Sequence, residues 1–340
     1  MLLRRPRKSQ IEVTLEAEPT KAPPRPRELP TELLRRLEFR VLKRLDGFLF
    51  GDYTGFFYGP SLDLAEVREY QPGDEVRRID WNVTARTGKI HIRQYREEKE
   101  VTVWLIVDLS ASMRFGTRRV LKLEEALEFV GTAAAIAGRH GDKVGAIGFS
   151  EAGMRIVPPG TGRRQALRIL HELYGLVAAH QGAVPGSKQR AKPVEQPSPA
   201  GGSLEQALEH AAKTLKRRVL LFVVSDFLSQ NPEQEPLWAS GLRRLAYRHD
   251  VVAVRIFDPA EKELPNAGEL RLRDLESGEE IWIDTSDPRV RRAHAALVQA
   301  REAMLERTLR AAQVDALHLS TAQEIVEPLL KFTLRRRGRR

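Results

Sequence analysis

Asp108-Leu109-Ser110-Ala111-Ser112 sets a carboxylate and two hydroxyls on alternate residues. A second carboxylate, Asp226, follows an apolar run as Ser225-Asp226-Phe227, and a further hydroxyl, Ser203, follows Gly201-Gly202. These donors are all oxygens, two from carboxylates and three from hydroxyls. Such a set suits a hard cation, Mg²⁺ or Mn²⁺, which takes octahedral oxygens at about 2.0–2.1 Å and keeps several waters. Singly, each residue has a plainer reading. Ser203-x-x-Gln206 is a helix capping box, a lone Asp is more often a turn or cap carboxylate, and Ser110 and Ser112 would be ordinary loop residues. Their joint placement, at two strand ends and one helix start, favours a metal.

The elements that must position them are legible from residue 101 onward. Residues 101–107 and 219–224 are continuous apolar runs, as expected of strands covered on both faces. Further strands are expected at 143–149, 154–157, 251–257 and 314–319, with a polar hairpin at 269–273 and 280–284. Helices are expected at 118–139, 163–174, 203–215, 236–248, 288–312 and 321–334. The first has Val120, Leu123, Leu127, Val130, Ala134 and Ala137 on its inner face. Alternating strands and helices imply an α/β fold with a doubly wound, mostly parallel sheet. Ligands of such sheets bind at the carboxyl ends of the strands, where the strand order reverses.

Upstream the pattern differs. Residues 1–30 hold six prolines and read as a disordered basic arm. Residues 31–46 read as a helix, with Leu33, Leu34, Leu37, Val41, Leu42 and Leu45 on one stripe. Residues 47–100 read as a small β-rich domain, with turns at Gln71-Pro72-Gly73-Asp74 and Arg86-Thr87-Gly88-Lys89 and an alternating strand at 89–95. Asp80, Trp81 and Arg86 are expected to support that domain, with Trp81 as a packing anchor.

Asp108-x-Ser110-x-Ser112 resembles the first motif of the metal-ion-dependent adhesion site of von Willebrand factor A domains. Ser203 stands where that family usually has Thr, and Asp226 matches its later Asp. The upstream stretch is more specific. Arg68-Glu69-Tyr70-Gln71-Pro72-Gly73-Asp74-Glu75-Val76-Arg77-Arg78-Ile79-Asp80-Trp81, then Ala85-Arg86, Tyr95 and Glu98, resembles domain-of-unknown-function family 58. The resemblance covers residues 45–335 and implies a von Willebrand factor A-like domain over 101–334. It implies Ser110 and Ser112 as direct ligands, Ser203 direct or through water, and Asp108 and Asp226 mainly through water. One position is left for a partner's carboxylate. Members of the family are commonly encoded beside MoxR-type AAA+ ATPases, which implies such an ATPase and a client protein as partners of a non-catalytic adaptor or co-chaperone.

Other classes fit less well. An aspartyl-phosphate hydrolase normally carries Asp-x-Asp, but the second position here is Ser110, and no Lys follows in the expected context. Neither a Gly-x-x-x-x-Gly-Lys-Ser/Thr phosphate loop nor a Gly-x-Ser-x-Gly nucleophile elbow occurs. The eight histidines make no ligand pattern, and with no cysteine there can be no disulfide or thiolate site. The net charge of +10 is concentrated at the ends: +3 over residues 1–30 and +6 over 331–340, leaving +1 for the body. Nucleic-acid binding would therefore rest on the tails, of which 335–340 reads as a solvated basic end. No apolar run spans a membrane and no signal peptide is visible, so a soluble, cytoplasmic protein is expected.

Overall fold

The structure, a computed structural model, describes residues 66–71, 79, 81–94, 102–180, 202–228, 234–273 and 280–338. The arm at 1–30, the helix at 31–46 and much of the segment 47–100 lie outside the described residues.

Within that segment, strand β1 (Glu66–Glu69) pairs antiparallel with β2 (His91–Gln94). The short helix α1 (Trp81–Thr87) lies between them in sequence, and Ile79 bridges to Ile92. The helix stops at Gly88, whose φ of +71° suits glycine. Trp81 is not the anchor expected of it: its side chain is 68% exposed, and it is Ile92 that is buried.

The rest is a three-layer α/β unit. Its strands are β3 (Thr102–Asp108), β4 (Lys143–Ser150), β5 (Gly153–Gly160), β6 (Leu220–Ser225), β7 (Asp250–Phe257) and β10 (Asp315–Ser320), in the spatial order β10-β7-β6-β3-β4-β5. All neighbours are parallel except β4 and the edge strand β5. A separate antiparallel hairpin, β8 (Glu269–Arg273) and β9 (Glu280–Asp284), follows β7.

Period-two alternation sends the central strands' residues to two different cores. Val103, Leu105 and Val107 of β3 face the cluster made with α2 (Lys122–Arg139), α3 (Gly162–His180) and α7 (Val326–Gly338). There Phe129 meets Phe222 edge-on at 5.4 Å. Trp104 and Ile106 face the opposite cluster, made with α4 (Leu204–Thr214), α5 (Trp238–Arg248) and α6 (Pro288–Ala311). Because both faces are covered, the strands are apolar throughout rather than alternating. No helix among the described residues is long and apolar enough to cross a membrane.

Two boundaries differ from expectation. The helix expected from 118 begins at Lys122, because the chain before it bends away and Lys122 N–H donates to the Phe115 carbonyl. At the far end, α7 runs on to Gly338. Arg336, its side chain 9% exposed, ion-pairs with Asp250 and Asp315, so the basic end at 335–340 is partly folded helix rather than a solvated tail.

Candidate metal centre

Chain order reverses between β3 and β6: β3 is followed by β4 on one side, while β6 lies on the other. Asp108 closes β3 and Asp226 follows β6 directly, so the two carboxylates stand side by side at the switch point. Beyond Asp108 the backbone turns into a single 3-10 turn, Ala111–Arg114, that carries Ser112. The turn is fixed at its start by Ser110 N–H donating to Asp108 Oδ1 at 3.0 Å and by Ala111 N–H donating to Glu151 Oε1 at 2.6 Å.

The polar groups form one chain of contacts. Ser110 Oγ and Ser112 Oγ are 3.1 Å apart, and Ser112 Oγ donates to Asp226 Oδ2 at 2.8 Å. Ser225 Oγ donates to Asp108 Oδ2 at 2.7 Å. Lys122, wholly buried, donates from Nζ to Asp226 Oδ2 at 2.8 Å and also to Glu261 Oε1. After Asp226 the chain turns through Phe227, a bulky residue at φ +53°. A left-handed backbone is costly there and must be held by its surroundings. Phe227 is buried against Trp238, and its N–H donates to Ser225 Oγ. Leu228 N–H then donates to Asp226 Oδ1 at 3.1 Å, which fixes the carboxylate.

Charge crowding marks the cluster. Burial, and then the neighbouring Asp226 charge, push the Asp108 carboxyl up to about 6. Burial pushes Asp226 up as well, but the Lys122 ammonium outweighs it and holds that carboxyl below the usual range. Burial keeps Glu261 above its usual value despite Lys122. For Lys122, burial alone would favour the neutral amine, yet the charges of Asp226 and Glu261 hold it protonated.

Four of the five sequence-predicted residues, Asp108, Ser110, Ser112 and Asp226, are thus brought together. Ser203 is placed on the same rim, one strand away. Gly202 N–H donates to the Ser150 carbonyl at the end of β4, whose penultimate residue Phe149 pairs with Asp108. The exposed Ser203 hydroxyl caps α4, accepting from Gln206 N–H at 3.3 Å. Sequence reasoning missed Lys122, Ser225, Glu151 and Glu261. Ser225 stood next to Asp226 in plain view, but a lysine at the start of an amphipathic helix carries no signal of burial.

The donor chemistry suits a divalent ion, since hydroxyl and carboxylate oxygens are what Mg²⁺ takes. The 3.1 and 2.8 Å Ser110–Ser112–Asp226 contacts are hydrogen bonds of ordinary length. With all groups ionised, three carboxylates face one ammonium, which leaves a net negative site. Among the described residues no group of three or more His, Cys, Asp and Glu is placed to hold a metal ion.

A parallel sheet of this order, with an antiparallel edge strand and a hydroxyl–carboxylate cluster at the switch point, defines a von Willebrand factor A-like domain. The chain belongs to the family described as protein of unknown function DUF58, whose pattern matches residues 66–304. An uncharacterized protein of Mycobacterium tuberculosis is 34% identical over 307 residues, 90% of this chain and 89% of that protein. Among solved structures, the conserved hypothetical protein BatB from Bacteroides thetaiotaomicron is similar over 70% of this chain and 99% of its own, at 15% identity and a TM-score of 0.43. A von Willebrand factor type A structure from Catenulispora acidiphila is similar over 71% of this chain and 43% of its own, at 10% identity and a TM-score of 0.35. The strand order and polarity, rather than these distant likenesses, define the fold.

Proposed function

We propose that this chain is a non-catalytic protein-binding adaptor or co-chaperone that grips its partner through a metal-ion-dependent adhesion site. Asp108, Ser110, Ser112 and Asp226 hold a Mg²⁺ or Mn²⁺ ion, and Ser203 completes the set from the neighbouring strand end. The observation that carries this reading is the convergence of the Ser110, Ser112 and Asp226 oxygens in one contact chain beside Asp108 at the switch point. When bound, the ion supplies a positive field that draws a carboxylate of the partner. The partner named by family resemblance is a MoxR-type AAA+ ATPase, with a client complex that the pair matures or remodels.

The test is a titration of the full chain with Mn²⁺ and Mg²⁺, followed by association with the ATPase with and without chelator. Weak one-to-one metal binding is expected, with association lost in chelator and in Ser112→Ala with magnesium present. Equal association under all these conditions would place the binding surface elsewhere.

A metal-dependent phosphohydrolase is the second reading, and Lys122 gives it something the sequence withheld: a lysine beside the carboxylates. It is the weaker reading because Asp108, the residue that would attack, is 5% exposed and has both oxygens occupied by Ser110 and Ser225.

A further inference from the structure

Lys122 occupies a position that general rules disfavour. It is the first residue of α2, and a helix amino terminus carries partial positive charge that favours anions. Its side chain is only 1% exposed, and a buried ammonium is costly unless it is well paired. An apolar side chain would fill the space without either cost. What holds the ammonium is a pair of carboxylates from different strand ends: Asp226 after β6 and Glu261 after β7. Asp226 Oδ2 is shared, accepting from Lys122 Nζ and from Ser112 Oγ, each at 2.8 Å. Lys122 therefore stands one carboxylate away from the serine pair, joined to it through Asp226.

We propose that Lys122 is the resident cation of this site, holding Asp226 and the Ser112 hydroxyl in place without a divalent ion and competing with such an ion for the Asp226 charge. This rests on the reading of the cluster as a metal site. Two buried carboxylates as close as Asp108 and Asp226 repel each other, and without a counter-charge they would part or take up a proton. The ammonium removes that need, so the site is assembled before metal arrives. The same charge repels an incoming cation and offsets one of its two carboxylates, so affinity is held down. Glu261 is the counterweight: it shares the ammonium and lightens its hold on Asp226.

The full chain is titrated with Mn²⁺ by calorimetry, and its melting is followed in chelator and in Mn²⁺. The wild type is expected to melt only slightly higher in Mn²⁺ than in chelator, as weak binding to the folded state requires. Lys122→Met is expected to bind Mn²⁺ about tenfold more tightly, to melt lower in chelator, and to recover on adding Mn²⁺. Glu261→Gln is expected to shift the other way, binding Mn²⁺ about threefold more weakly. If Lys122→Met does not fold even with Mn²⁺, the Glu261→Gln shift decides alone. Metal binding by the wild type with unchanged affinity in the variants would overturn the role of Lys122 and leave the metal site standing. No binding by the wild type or by folded Lys122→Met would overturn both.

Discussion

Ser225 Oγ donates to Asp108 Oδ2 at 2.7 Å, so the ends of β3 and β6 are tied by side chains as well as by the sheet ladder. The same hydroxyl accepts from Phe227 N–H, which fixes the left-handed turn that presents Asp226. Ser225→Ala leaves a buried carboxylate oxygen and a buried N–H without this partner, at a cost of about 1–3 kcal/mol each. Urea unfolding should show a loss of about 2–6 kcal/mol for the two groups together, and Mn²⁺ binding should weaken although Ser225 is not itself a proposed ligand. Unchanged stability would mean the bond contributes nothing net.

A second network predicts behaviour in acid. Asp258 accepts from Thr117 N–H and Oγ1, from Thr321 Oγ1 and from Ala260 N–H. Burial pushes its carboxyl up, but these donors outweigh burial and hold it below the usual range. The folded pKa therefore lies below the unfolded value of about 3.9. Its stabilisation is complete above that value and is lost as pH falls through the folded pKa. Asp258→Asn should be less stable at neutral pH and lose stability less steeply below about pH 4. Parallel acid limbs for the two proteins would contradict the assignment.

Gly202 and Ser203 test whether Ser203 belongs to the proposed metal set. A Cβ on Gly202 would lie 2.8 Å from the Gly153 carbonyl oxygen and 3.1 Å from Phe149 Cβ, so Gly202→Ala must push the start of α4 outward. Ser203→Ala removes the cap and should cost about 1 kcal/mol. If Ser203 completes the metal set, both changes weaken Mn²⁺ binding in calorimetry. Loss of stability with intact binding would confine Ser203 to capping.

The chain end gives a fourth expectation. Arg336 joins Asp250 and Asp315 at the amino ends of β7 and β10. Deletion after residue 338 should leave the melting temperature unchanged. Deletion after residue 334 removes this bridge and should cost on the order of 2 kcal/mol, between an exposed and a buried pair. Equal melting of both truncations would show the bridge to be without net effect.

Much of this architecture is legible in the residues. Apolar runs at 101–107 and 219–224 announce strands covered on both faces, and the stripe from Leu123 to Ala137 announces the helix laid over them. The carboxylates ending those runs locate the site, since any doubly wound sheet gathers its strand ends on one rim. Long-range pairing is less legible. Lys122 meets Asp226 across 104 residues, and nothing local distinguishes it from a solvated helical lysine. Trp81 misleads for the opposite reason: aromatic size suggests burial, yet the ring sits on an outer face. The last arginines read as a loose end because charge count, unlike geometry, does not reveal that Arg336 has two aspartates within reach.

The neighbouring placement of β3 and β6 also sets an order of events during synthesis. Asp108 leaves the ribosome more than a hundred residues ahead of Asp226, and at about 5–20 residues per second several seconds separate them. In that interval the nascent strand has no partner on its β6 side, and the serine pair has no second carboxylate. The cluster closes only when β6 has paired with β3, the most non-local step in building the sheet. A partner that required Ser112 and Asp226 together would therefore engage the chain only after β6 had paired with β3.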